Sequence, residues 1–217
     1  MNRAIYCISG MGADEKAFIN LQVNGYELKF IPWIRPHKNE RIEHYAERMA
    51  KYIKHDSPIL LGLSFGGMVS IEIAKQMPVK KLFIVSSIKS YSELPGWMKV
   101  AATLKLHKLL PTRSYKIMDK IDNRRLGVSN KEERDMVNAY RKNADPDHIN
   151  WSIHQVMNWK NNWQPDNIIH IHGDKDKIFP IKKIKPTHVI KDGTHMMIYN
   201  RAKDVSAFIE RELGVDK

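Results

Sequence analysis

The 217 residues predict an α/β domain: a doubly wound, mostly parallel six-stranded sheet, interrupted once by a helical insertion. Three observations lead there. Short, continuous apolar runs alternate with stretches of helical periodicity, and unbroken apolar runs are what strands covered on both faces require. A stretch of about 80 residues between the fourth and fifth runs is helical in pattern and contains no strand-like segment. Composition is that of a globular chain, 42% hydrophobic and 28% charged, and the length allows a substantial core.

Residues 4–9 read as the first strand and 13–21 as a short helix. Residues 26–31 form the second strand, stopped by Pro32. Over 40–53, Ile42, Tyr45, Ala46, Met49 and Ile53 recur at helical spacing. The run 59–63 is the third strand, and 67–76 a helix ended before Pro78. Residues 81–85, 168–172 and 187–190 supply the last three strands. Residues 201–213 close as an amphipathic helix, with Val205, Phe208, Ile209 and Leu213 on one side and Gly214 beyond its end. Residues 1–86 and 167–217 are thus expected to form the sheet core, with 87–166 a helical cap over the carboxyl ends of the strands. That cap carries Trp97, Trp151, Trp159 and Trp163.

The net charge of +12 raises a nucleic-acid reading, but the Lys and Arg residues are scattered and no aromatic RNA-binding signature accompanies them. No run approaches the ~20 apolar residues of a membrane span, and the amino-terminal segment does not read as an export signal. The single Cys7 lies in a predicted strand, a small buried hydrophobe. A cytoplasmic protein without disulfides is expected. Oligomeric state is unread.

The segment Ile59-Leu60-Leu61-Gly62-Leu63-Ser64-Phe65-Gly66-Gly67 is an apolar run ending in Gly-x-Ser-x-Gly and continuing as a helix. A serine hydroxyl is a weak nucleophile unless held exposed beside a base. A sharp strand-to-helix turn lifts it off the sheet, and the residues two before and two after must be tiny because strand and helix nearly touch. Gly62 and Gly66 meet that demand. Downstream, His172-Gly173-Asp174-Lys175-Asp176 follows the fifth strand and Gly193-Thr194-His195 the sixth. Loops at the carboxyl ends of parallel strands are where the chemistry of open α/β sheets collects. The order Ser64, Asp176, His195 is nucleophile, acid, histidine.

On these three motifs the chain resembles the α/β-hydrolase superfamily over almost its whole length. The resemblance implies a Ser64–His195–Asp176 triad, with Asp176 rather than Asp174 as the acid. It implies an oxyanion hole made by the backbone N–H of Phe65 and of Met11, the latter in the loop Ser9-Gly10-Met11-Gly12. It also implies a small-molecule acyl substrate, an ester, thioester or lactone, cleaved without a cofactor or metal. Two departures stand out: the early loop begins Ser9-Gly10 where the family has His-Gly, and the first strand corresponds to the family's third.

Blander readings remain beside these. Ser64 could cap a helix; Asp176 could cap a turn, leaving Asp174 as the acid; His195 could be an ordinary loop residue. His170 and His172 point the same way from one strand, and with Asp174 the stretch resembles the His-x-His-x-Asp-His metal pattern of the metallo-β-lactamase fold, with Asp176 where its final His would stand. The cap cations Lys99, Lys105, Lys108, Arg113, Lys116, Lys120, Arg124 and Arg125 are either a solvated helix side or a rim for an anionic substrate or an acidic lipid surface. Trp97, Met98, Met118, Met157 and Trp159 either pack the core or line an acyl pocket. The alternatives to a hydrolase are a hydrolase-fold ligand receptor, a cofactor-free lyase or peroxidase with the same triad, and a basic binding module.

Overall fold

The computed structural model describes residues 3–104 and 123–215. Six strands form one sheet: β1 (Ala4–Ile8), β2 (Glu27–Phe30), β3 (Ile59–Leu63), β4 (Lys81–Val85), β5 (Ile168–Gly173) and β6 (His188–Ile190). Their order is β2-β1-β3-β4-β5-β6. Every adjacent pair is parallel, so the expected "mostly parallel" sheet is parallel throughout. Among the described residues the helices include α1 (Ile42–Ala50), α2 (Phe65–Ala74), α3 (Gly96–Thr103), α4 (Lys131–Asn143), α5 (Pro146–Asn158), α6 (Met197–Asn200) and α7 (Ala202–Glu212).

Successive strand side chains face opposite sides, and both sides are covered. Tyr6, Ile8, Leu60, Leu82 and Ile84 join the core under α1 and α2. Ile5, Cys7, Leu61, Phe83, Val85 and Ile171 join the core under α7. The Cys7 thiol is buried and pushed up by desolvation, the state of an inert filler. Helix α2 is buried from Phe65 to Ile73, which explains an apolar surface all round.

Element boundaries differ from the sequence expectation for local reasons. Residues 13–21 form only a single 3-10 turn, Glu15–Phe18, capped by the Asp14 side chain; so short a segment cannot repay helix nucleation. Helix α1 begins at Ile42, because Glu40 is engaged outside it. Its carboxylate pairs with Arg48 at 2.8 Å and its carbonyl accepts the Trp151 indole N–H at 2.8 Å. Helix α2 begins at Phe65, two residues early, because the turn at Ser64 leaves no loop.

Between β4 and β5 the described residues carry α3, α4 and α5. Helix α5 is moored to the rest of the fold by Trp151 and Gln155 on the Glu40 carbonyl and, just past its end, by the Trp159 indole N–H on the buried Glu72 carboxylate at 2.6 Å. Because all strands run one way, the loops after β1, β3, β5 and β6 all leave from the carboxyl ends of the strands, on one side of the sheet.

Candidate active site

Ser64 stands between the last residue of β3 and the first of α2, with φ +51° and ψ −118°. A non-glycine residue in that region is strained, and such strain persists only where the surroundings over-determine it. The surroundings are close backbone. A Cβ on Gly62 would stand 2.5 Å from the Gly66 carbonyl oxygen and from Gly67 Cα, and a Cβ on Gly66 would overlap the Ile8 and Ser9 carbonyls. The Ser64 N–H donates to Val85 O at 2.9 Å, and the Ser87 hydroxyl donates to Ser64 O at 2.6 Å. The Ser64 side chain makes no capping bond to α2, so the hydroxyl is not spent on its own helix.

The loop after β5 and the loop after β6 touch through two glycines: a Cβ on Gly173 would overlap the Gly193 carbonyl. The contact delivers one side chain from each. His195 Nδ1 lies 2.8 Å from Asp176 Oδ2, and His195 Nε2 lies 3.0 Å from Ser64 Oγ. A carboxylate only accepts, so Nδ1 donates, leaving Nε2 as the acceptor for the serine proton. The other Asp176 oxygen accepts the N–H groups of Ile178 and Phe179 at 2.8 and 2.9 Å. Burial works to raise the Asp176 carboxyl. The facing His195, its hydrogen bond, His172 and the Phe179 N–H outweigh burial and hold the carboxyl below the ordinary aspartate value. The two His195 ring nitrogens are taken by Asp176 and Ser64, not by Asp174, one of whose carboxylate oxygens is buried without a partner among the described residues.

The loop after β1 packs against the serine, with a notional Gly10 Cβ only 3.5 Å from Ser64 Cβ. It is held by the Ser9 hydroxyl on Ala13 O at 2.6 Å and by the Trp33 indole N–H on Gly10 O at 3.1 Å. Met11 and Phe65 both line a cavity of about 400 Å³ that opens on Ser64 and His195. Among the described residues, neither backbone N–H has a partner outside its own helix or strand. The rest of the wall is mostly apolar: Met98 from α3, Val137 from α4, Ile149, Ile153 and Val156 from α5, and Ile178 and Met196 from the loops.

The comparisons with known proteins point one way. Neither a protein-family model nor a curated protein sequence matches the chain. Solved structures do. An esterase from Thermogutta terrifontis superposes with a TM-score of 0.75 at 14% identity, covering 98% of this chain and 90% of the esterase. A bromoperoxidase from Bacillus anthracis gives 0.71 at 13% identity, over 99% of this chain and 92% of the other. An N-acyl homoserine lactonase gives 0.69 at 16% identity, over 98% and 90%. The chain has the α/β-hydrolase fold. Identities this low speak for the fold alone, and α/β-hydrolases of unlike activity share it.

Of the residues singled out from the sequence, Ser64, Asp176 and His195 are brought together, with Phe65 and Met11 beside them. Of the five cap side chains named as core or acyl pocket, Met98 lines the cavity. Trp159 is buried against Glu72, Trp97 is about half exposed and Met157 is half-buried. Met118, Lys105, Lys108, Arg113, Lys116 and Lys120 lie outside the described residues. Lys99 stands over the Tyr91 ring and Arg125 over Trp97, while among the described residues Arg141, which was not singled out, lines the cavity. Among the described residues no three His, Cys, Asp or Glu side chains cluster as metal ligands, and His172 Nε2 is taken by the Phe179 carbonyl at 2.8 Å. Sequence reasoning missed Ser87 and Trp33, which hold the backbone around the serine; nothing in their neighbourhoods signals that use. It also passed over Gly67, although a third glycine stood in plain view. A Cβ there would meet the Ser87 side chain.

Proposed function

We propose that this protein is a serine hydrolase that cleaves a carboxylic ester, or a related thioester or lactone, through an acyl-enzyme on Ser64. One observation carries the reading: the continuous relay from Ser64 Oγ through His195 to Asp176, at 3.0 and 2.8 Å. His195 Nε2 takes the serine proton as Oγ attacks the carbonyl carbon. Asp176 holds the tautomer that leaves Nε2 free and stabilises the imidazolium that forms. The N–H groups of Phe65 and Met11 receive the oxyanion, and His195 returns the proton to the leaving group. Water then attacks the acyl-enzyme with the same imidazole as base.

Residues 87–166 act as the cap that closes the acyl side, and 1–86 with 167–217 as the core that holds the relay. The cavity walls favour an aliphatic acyl group over a polar one. Each methylene buried there contributes about 0.8 kcal/mol, roughly a fourfold gain in kcat/KM per carbon until the cavity is full.

A fluorophosphonate probe and a series of p-nitrophenyl esters of rising chain length, with thioesters and lactones alongside, test this together. Wild type is expected to label at Ser64 and to turn over the medium-chain esters best. Ser64→Ala and His195→Ala are expected to lose the label. Ser64→Ala turnover is expected to fall by about a millionfold, with the fold retained. Ester hydrolysis by Ser64→Ala within tenfold of wild type would refute the assignment. Labelling without turnover of any acyl compound would favour the receptor or peroxidase-like alternatives.

A further inference from the structure

We propose that His172, outside the triad, is a positioning residue for it: through a single N–H it clamps the turn from Asp176 to Phe179, and so sets where Asp176 and the ring against His195 stand. The proposal rests on the reading of Ser64, His195 and Asp176 as a working triad.

His172 is wholly buried on β5, an inner strand where Ile169 and Ile171 are the expected kind of residue. Its Nε2 lies 2.8 Å from the Phe179 carbonyl oxygen. A carbonyl can only accept, so the ring proton sits on Nε2. Desolvation lowers the ring's pKa against the upward pull of Asp176 and the Phe179 carbonyl, which favours the neutral form. Its other nitrogen, Nδ1, is buried with no hydrogen-bond partner among the described residues. An imidazole held this way is costly on an inner strand, and an apolar side chain would avoid that cost. What the position keeps by having histidine is the Nε2–H.

That N–H grips a residue with two further duties. The Phe179 N–H donates to Asp176 Oδ1 at 2.9 Å, while its C=O accepts from His172. The same His172 Nε2 lies 3.7 Å from Asp176 Oδ2, the oxygen that receives His195. The Phe179 ring meets His195 edge-on, with centroids 5.7 Å apart. The neighbouring His170 meets His172 through a ring edge, centroids 5.3 Å apart, and makes no hydrogen bond to it. Without the clamp, Phe179 as a whole loses the bond that fixes its carbonyl side and is free to shift. Asp176 then loses an N–H donor and His195 loses a wall. A shift of about 1 Å in a catalytic group costs on the order of a hundredfold in rate.

Three variants test this: His172→Phe, close in shape but without a donor; His172→Gln, whose amide N–H reaches about as far as Nε2; and His172→Asn, which is too short. His172→Phe and His172→Asn are expected to lower kcat by about ten- to a hundredfold while KM stays within about threefold, and His172→Gln to restore kcat to within about threefold of wild type. A wild-type kcat in His172→Phe, or a loss that His172→Gln does not repair, overturns the proposal. Should His172→Phe not fold, the kcat ratio of His172→Gln to His172→Asn decides: tenfold or more supports the clamp, and a ratio near one sinks it. If wild type neither labels nor turns over any ester, the triad reading has failed by itself. The low-field NMR resonance of the His195 Nδ1 proton then carries the decision. Loss in His172→Asn with recovery in His172→Gln supports the clamp; no change overturns it.

Discussion

Ser64 concentrates the local physics of the site. Its left-handed φ is paid for by two neighbours without side chains and by backbone bonds to Val85 and Gly67. Gly62→Ala would force β3 off α2, and is expected to abolish fluorophosphonate labelling and lower the unfolding midpoint together. Asp176 makes a different claim. Asp176→Asn keeps the size and the Ile178 and Phe179 contacts but can offer His195 Nδ1 a donor instead of an acceptor. The imidazole would then take the wrong tautomer. A kcat lower by about 10⁴ is expected, with a urea midpoint close to wild type. Steady-state rates on the best p-nitrophenyl ester, beside an unfolding curve, check both halves of that statement. A kcat within tenfold of wild type would remove Asp176 from the relay.

Among the elements, α5 decides how the wall of the cavity sits on the sheet. Its moorings are polar and long-range: Trp151 on the Glu40 carbonyl, Gln155 on the same oxygen at 3.2 Å, and Trp159 on Glu72. Glu72 is almost fully buried in α2, shares Oε1 between Trp159 and Lys75, and leaves Oε2 buried without a partner. Trp159→Phe keeps a ring but removes one of the two donors to that carboxylate. A loss of about 1–3 kcal/mol in urea denaturation is expected, with the rate of labelling at Ser64 little changed. Helix α4 starts with a cap, Asn130 accepting from the Glu133 N–H at 2.9 Å, and Glu133 in turn accepts from the Ser129 N–H at 2.6 Å. That exchange is local. The tryptophan moorings are not, and nothing local tells an indole which distant oxygen it will meet.

For the whole molecule, the buried histidines set the response to acid. His148, packed against Trp33 with ring centroids 4.8 Å apart, is pushed down by desolvation to about 4 from 6.5. His170 and His172 are lowered for the same reason. A lowered histidine means that the unfolded chain takes up its proton first as pH falls. For His148 the stabilisation is therefore complete above pH 6.5 and drains away between about 6.5 and about 4. For His148 the loss at pH 5 is on the order of 2 kcal/mol. Asp176, also lowered, adds a further loss only below the ordinary aspartate range. Urea unfolding at a series of pH values is expected to show stability falling from pH 7 to 5, and His148→Phe to flatten that fall by about 2 kcal/mol. An unchanged slope in the variant would exclude His148 as a source.

The resemblance to the α/β-hydrolase superfamily chose Asp176 over Asp174; the residues alone determined the order of the strands and of most helices, the parallel sheet, the serine at its tight turn and the two loops that carry the candidate acid and histidine. These follow from neighbours: apolar runs, helical spacing, glycines where backbones must touch, and motif order along the chain. Tertiary structure decided what lies across the molecule. Ser64 and His195 are 131 residues apart, and their strands are separated by β4 and β5. Only the touch of the Gly173 and Gly193 loops brings the imidazole back over that gap. The clamp of His172 on Phe179 and the hold of Trp33 on Gly10 belong to the same class. Periodicity reports which face a side chain takes, because that depends on its own backbone. Which atom it meets depends on strand register and loop closure, and those are set by the packing of the whole chain.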